Sequence, residues 1–412
     1  MSHSRHNGGR YTAAPFCLLL LVAGALPAAD QPQTGLKFAA WHESGAHSLR
    51  GMPDLLDAFY SRNPDVRVNL NHEDWAQAPV RLKYWFGSHR QYAPDLTVLP
   101  DTWIAAYADK LLSLDEALKP RDTAGFVPAV LDRCRVQGRL VGLPWLACSR
   151  ALYYRADLCE AAKLKPPCSL EELQTAATAL AKPPEMYGLG LPGRPGGGAL
   201  EAFLDLLAAH DGQPFDKDGK LQLRSKPAEA ALAYWLALQR ERVLQPEVLT
   251  WAEADLQEAF VRGRVALLIA GPELHQRLRS TAPALKFGVV ALPPGGEAAL
   301  PISVEVLVAL NSTKNAEPVG RFLRFMATAE AQRAMTFMGS LPTHQAHYAR
   351  VRGEADVAPF VTGLEHARGL PLRETEPATR IVERALWLCL SGRATPAEAL
   401  KIASDEEDQR IF

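Results

Sequence analysis

The sequence predicts an α/β protein built as two lobes, on three observations. A chain of 412 residues is too long for one ordinary hydrophobic core and long enough for two. Strand and helix patterns alternate from Leu36 to Leu99, the mark of a sheet with right-handed crossovers. The stretch Gly138 to Leu173 reads as a strand, a break at Pro144, a second extended run through Leu152, Tyr153 and Tyr154, and a short helix from Asp157.

Taken in order, Leu36–Ala40 is a short apolar strand, and Pro53–Asn63 is a helix with Leu55, Leu56 and Phe59 on one face. Asn63-Pro64 stops that helix. Val66, Val68 and Leu70 then alternate with Arg67 and Asn69, which gives a strand with one face buried. A helix near Val80–Phe86 and a buried strand Leu96–Leu99 follow. Pro166-Pro167 ends the helix from Asp157, because proline lacks an amide hydrogen and pushes the preceding residue out of helical geometry. Ser169 caps the next helix, with Glu172 three residues on. Helices dominate as far as Leu244, with a Gly/Pro loop at Leu191–Gly198. Asp255–Arg262 is amphipathic, Gly263 ends it, and Val265–Ile269 is a buried strand. Lys286–Leu292 and Ile302–Leu310 are strands around the loop Pro293–Leu300. Thr395-Pro396-Ala397-Glu398 is a capping box, and residues 405–412 read as an acidic tail.

The formal net charge of −1 gives no bias toward nucleic acid or an anionic membrane. Arg5 and Arg10 precede an apolar run from Ala13 to Leu26, with small residues after it. Residues 1–29 therefore read as a secretory signal, cleaved between Ala25 and Ala29. Cys17 lacks the small residues a lipid-anchoring site needs before it. The expected product is periplasmic or extracellular, not lipid-anchored. Five of the six cysteines remain after cleavage. Cys159 and Cys168 bracket one short helix and its proline exit, and are the expected disulfide; Cys134 with Cys148 is a second pairing.

Enzyme motifs are sparse. His42-Glu43 with His47 misses the i, i+4 histidine spacing of a zinc helix by one residue. Asp216 and Asp218 before Gly219 suggest a calcium loop, but Lys220 occupies the next ligand position. No metal and no cofactor is indicated. Tyr153 and Tyr154 are neighbours on a strand and must point to opposite faces. Trp41, Trp103, Trp145 and Trp251 fall at strand ends or loops, where ligands of open α/β sheets bind and where an aromatic face can pack on a sugar ring. Trp235 and Trp387 lie inside helical runs and read as core.

Gly138, Gly142, Leu143, Pro144, Tyr154, Arg155, Asp157, Leu158, Leu164, Pro166, Pro167, Glu172 and Leu173 fit a pattern of the extracellular solute-binding proteins of ABC importers, the maltose-binding-protein-like family that this chain resembles. Lys163 and Leu170 stand where that pattern has glycine and tryptophan. Phe59, Pro64, Val66 and Val68 match a second segment, and Pro94, Asp95, Leu96, Trp103, Leu111, Leu114 and Asp115 a third. Trp251, Phe260, Gly263, Ala266 and Gly271 match a fourth, in which Glu273 replaces a frequent tryptophan; Val304 and Glu305 replace Gly-Gly.

The resemblance implies a two-lobe periplasmic-binding-protein fold (type II-like) with a hinge of crossover segments near 145–152, 298–304 and 338–345. Residues 36–146 with 302–340 form the N-lobe, and 150–298 with 345–404 the C-lobe. It implies hinge closure on a ligand held by Trp41, His42, Glu43, Asp101, Trp103 and Trp145 on one side. Trp251, Gly271, Glu273, Glu305 and Arg380 complete the expected set. The implied function is capture of a small polar solute, a sugar or oligosaccharide, by a monomer that delivers it to the transmembrane subunits of an ABC permease, without covalent chemistry. A ligand sensor, a binder of polyamines or other cations, and a glycan hydrolase using two of the carboxylates remain alternatives.

Overall fold

The computed structural model describes residues 33–42, 52–74, 77–216, 221–292, 302–335, 341–365 and 375–409. The signal, Glu43, His47, Asp218, the loop Pro293–Leu300 and Gly339-Ser340 lie outside them. Eleven strands are described: β1 (Thr34–His42), β2 (Val66–Asp74), β3 (Leu96–Pro100), β4 (Arg135–Val136), β5 (Arg139–Leu140), β6 (Gly142–Cys148), β7 (Ala151–Arg155), β8 (Tyr187–Gly190), β9 (Val265–Ala270), β10 (Phe287–Val290) and β11 (Ser303–Ala309). They form a five-stranded sheet in the order β2-β1-β3-β11-β6, a four-stranded sheet in the order β10-β7-β9-β8, and the β4-β5 hairpin.

The first sheet starts as expected, with β1 parallel to both β2 and β3 and helices as the connections. β11, from far along the chain, enters antiparallel between β3 and β6. The chain leaves the first sheet at Cys148 and joins the second at Ala151, so Ser149 and Arg150 alone make the first crossover. β10 in the second sheet and β11 in the first place another crossover between them.

Alternating burial follows from the strand period of two. Tyr153 points into the core shared with Phe260 and Phe360, and Tyr154 packs on the opposite face of the second sheet. That opposite face buries Phe203 and Trp235 from the helices Ala199–Ala209 and Lys226–Arg240. In the first lobe Phe59 and Phe38 meet Phe322 edge-on, at centroid separations of 5.2 and 6.2 Å. Each fully buried aromatic of this kind contributes about 1.5–3 kcal/mol through area removed from water. The Gln137-Gly138 turn of the β4-β5 hairpin has φ of 51° and 79°, the left-handed pair a tight hairpin requires.

Two expectations are corrected. Cys159 and Cys168 are both free thiols, as are Cys134, Cys148 and Cys389. Cys159 is buried in the second core, whereas Cys168 is exposed and its amide and Sγ both donate to Glu172 Oε2 at 2.8 Å. Cys159 faces inward from the helix Ala156–Ala161, while Cys168 lies in the extended stretch after it, on the surface. Residues 405–408 are not a tail but the last turn of the helix Pro396–Asp408. There Asp405 and Asp408 pair with Arg224, Glu406 with Arg384, and Glu407 with Arg380. Trp235 is fully buried, while Trp387 is half-buried between the guanidinium groups of Arg384 and Arg393. Among the described residues no helix is long and apolar enough to cross a membrane.

Candidate functional site

The first crossover carries a polar network that ties it to the second lobe. Ser149 Oγ donates to the Phe360 carbonyl at 2.7 Å, pinning the crossover to the helix Ala358–Glu365. The Arg150 guanidinium reaches three elements of the second lobe: Nε to Asp205 Oδ2 at 2.7 Å, Nη1 to Glu253 Oε2 at 2.7 Å and Nη2 to the Ile269 carbonyl at 2.9 Å. Asp205, on the helix Ala199–Ala209, is only 3% exposed, and its Oδ1 has no hydrogen-bond partner among the described residues. Burial pushes its carboxyl up to about 7 against the pull of Arg150.

Beside this network the chain turns out of β9. Tyr153 Oη donates to the Gly271 carbonyl at 2.7 Å, and Glu273 opens the helix Glu273–Thr281. Gly271 sits close under the Glu273 carboxylate and Cys148, where a Cβ would lie 2.2 Å from Glu273 Oε2 and 2.8 Å from Cys148 Sγ and would displace those side chains. Glu273 accepts from Gln257 Nε2 at 3.0 Å. The residue is exposed at the surface; the partial loss of water around its carboxyl, followed by the like charge of Glu253, raises it above the ordinary value. Burial, with Glu273, Glu253 and Glu305 adding to it, holds the Cys148 thiol well above its ordinary value, so it stays protonated. The carboxylates Glu253, Glu273 and Glu305 thus share one electrostatic neighbourhood at the hinge, balanced in part by Arg150. They can accept hydrogen bonds from hydroxyl groups.

On the opposite side, β3 ends at Pro100 and Asp101 begins the short helix Asp101–Ile104. Asp101 is 1% exposed and Arg133 4%, and Arg133 Nε donates to Asp101 Oδ2 at 2.5 Å. The Thr102 and Val304 amides donate to the same carboxylate. Burial raises its pKa, and Arg133 opposes the rise. With Asp101 so held, Trp103 is presented two residues later at the wall of a cavity of about 1190 Å³. Lys83 and Phe86 line that wall from the helix Ala78–Phe86, and Thr379 and Arg380 from the helix Thr375–Leu390 face them. The cavity therefore opens between elements of the two cores. Arg380 Nε also donates to Glu407 Oε2 at 2.8 Å.

The structure brings Trp103 and Arg380 together, and gathers Gly271, Glu273 and Glu305 near the hinge. Trp251 is half-buried, its carbonyl taken by the Gly193 and Arg194 amides. Trp251 and Glu305 are not among the described residues lining the cavity; Glu305 sits at a register shift in β11, opposite Pro100 and Leu146. Trp41 and Trp145 are 5% and 3% exposed. Trp41 Nε1 donates to the Val98 carbonyl at 2.7 Å and its ring packs on Trp85; Trp145 meets Phe38 edge-on at 5.4 Å. His42 ends β1 opposite Asp74. Arg150, Asp205, Glu253 and Lys83 escape a reading of the sequence alone. The one signal for Arg150 is a charge in an otherwise apolar run between two strands, LPWLACSRALYY.

Residues 45–333 match the family described as bacterial extracellular solute-binding protein. A chain of Brucella abortus (strain 2308), named only as a binding protein, is 27% identical over 369 residues, which is 86% of this chain and 88% of its own length. Maltose-bound T. maritima MalE3 superposes with a TM-score of 0.78 at 23% identity, covering 91% of this chain and 99% of that one. An ABC transporter solute-binding protein of Thermotoga lettingae TMO, bound with alpha-D-tagatose, gives 0.79 at 20% identity, with 92% and 99% covered.

Proposed function

From a chain that belongs to the bacterial extracellular solute-binding proteins, we infer a receptor that captures a mono- or oligosaccharide outside the cytoplasm and passes it to the transmembrane subunits of an ABC permease. The observation that carries the reading is the cavity between elements of the two cores, with the Trp103 ring on one wall and Thr379 and Arg380 on the other. An aromatic face packs on the apolar C–H patches of a sugar ring, and the hinge carboxylates supply acceptors for its hydroxyls. Maltose in one structural neighbour and tagatose in another support the solute class. Binding and release leave the bonds of the solute intact. The chain works as a monomer whose two lobes close around the solute at the Ser149-Arg150 crossover.

In this reading Trp103 meets the ligand in the cavity, and Trp251, outside the described lining, reaches the same ligand once the lobes close. Replacing either with alanine is expected to weaken saccharide binding by roughly 1–3 kcal/mol, the range of a truncated aromatic anchor, with little change in the unfolding midpoint of the ligand-free protein. Titration calorimetry and thermal unfolding check both halves; unchanged affinity in both variants, or a lowered ligand-free midpoint, removes these residues from the site. Export is checked by intact mass: the mature chain begins after a residue between Ala25 and Ala29, and an uncleaved Met1 or a lipid on Cys17 would refute it.

A further inference from the structure

Resting on the saccharide-receptor reading, the geometry points to a solute that carries an anionic group, a carboxylate or a phosphate on a polyhydroxylated ring, received by Lys83 at the wall of the inter-lobe cavity. The described lining contains three basic side chains, Lys83, Lys110 and Arg380, against one acid, Asp109. Lys110 Nζ is paired with Asp109 Oδ2 at 2.5 Å, and Arg380 with Glu407. Lys83 has no ion pair among the described residues; its carbonyl accepts from the Gly87 amide at the helix end.

The segment that carries Lys83 offers it no acidic partner. From residue 75 to residue 94 the chain carries Arg81, Lys83 and Arg90 and no Asp or Glu. Arg81 turns to Glu73 on β2, and Arg90 to the side chain of Asn311. The backbone under Lys83 is fixed, because Leu82, Trp85 and Phe86 of the same helix are buried in the first core and Phe86 packs on Tyr107 at 4.5 Å. Lys83 itself is exposed, and its side chain joins the cavity lining from that fixed backbone.

Closing the lobes over an unpaired ammonium removes its water, a cost that a neutral hydroxyl offsets only in part and an anionic oxygen offsets far better. Lysine is a compact point charge without the fork geometry of arginine, and it serves carboxylate and phosphate alike. The hinge side, outside the described cavity lining, gathers Glu253, Glu273 and Glu305, offset in part by Arg150. A solute with hydroxyls toward the hinge and its charge toward Lys83 matches that polarity.

The test is titration calorimetry of the full mature chain with four probes: glucuronate, glucose 6-phosphate, glucose and maltose. At low salt, glucuronate or glucose 6-phosphate is expected to bind at least about tenfold more tightly than glucose and maltose, the worth of one charge-assisted contact, and to lose part of that advantage as ionic strength rises. Which of the two binds identifies the anionic group. In Lys83→Ala and Lys83→Glu the anionic-to-neutral preference should fall about tenfold or more. Arg81→Ala, which removes a charge from the same helix without lining the cavity, should keep it. Neutral sugars that bind as tightly as both anions, or a preference that survives Lys83→Glu, would overturn the assignment to Lys83 and leave the saccharide reading intact. If none of the four probes binds, the saccharide reading falls and this inference with it.

Discussion

Arg150→Ala should destabilise the protein by about 3–5 kcal/mol, the cost of leaving a buried charge without its partner. Asp205 is 3% exposed and spends one carboxylate oxygen on Arg150 while the other already has no described hydrogen-bond partner. Removing the guanidinium also frees Glu253 and the Ile269 carbonyl, so three second-lobe elements lose their tie to the crossover. The double replacement Arg150→Met with Asp205→Leu should recover most of the loss, since apolar groups of similar volume can stand in for a buried pair. Denaturant titrations of the two variants decide it; equal stability of Arg150→Ala and the parent would show that the network is not a structural tie.

The same pair sets a pH dependence. The folded carboxyl of Asp205 stands at about 7, above the value of roughly 3.9 expected in the unfolded chain. Between those values the folded state binds more protons, so this group's contribution to stability is full below the lower value and falls as pH rises through the upper one. Without Arg150, which pulls the carboxyl down, the decline should extend to higher pH in Arg150→Ala. A decline that ends at the same pH as in the parent would mean that Asp205 has found another partner.

Asp101→Ala should cost a similar amount, about 3–5 kcal/mol, and should weaken the saccharide binding proposed above as well. It strands Arg133, 4% exposed, and removes the acceptor for the Thr102 and Val304 amides, which join the start of the Trp103 helix to β11. Asp101→Asn keeps the shape but not the charge, and is expected to fall between parent and alanine variant. Denaturation measures the first effect and calorimetry the second. A stable Asp101→Ala protein would mean that Asp101 is not holding this wall.

Much of the fold is legible because it is written in local periodicity. The alternation of Val66 and Val68 with Arg67 and Asn69 predicts which face of β2 is buried, and the adjacency of Tyr153 and Tyr154 predicts that they part. Ser169 and Thr395 act as helix caps, each accepting from the amide three residues on. The Cys159–Cys168 bridge fails for a reason that spacing does not reveal, since Cys159 turns from its helix into the core while Cys168, in the stretch beyond, stays at the surface beside Glu172. The acidic tail fails for a similar reason. Its charge run looks solvated in isolation, yet Arg224, Arg384 and Arg380 from two other segments pair with it and continue the helix. At the hinge, Glu273 and Glu305 are suggested by family pattern, whereas Glu253 and Asp205 are found only through Arg150.

The sequence by itself determined the alternating α/β plan, the faces its strands bury, and membership of the solute-binding family, because apolar spacing and short motifs are properties of neighbouring residues. Only the tertiary structure decided that β11 lies between β3 and β6, that Arg150 gathers Asp205, Glu253 and Ile269, and that Lys83 and Trp103 face Thr379 and Arg380 across one cavity. Those partners are separated by tens to hundreds of positions along the chain. No local pattern records a pairing that exists only once two cores have packed.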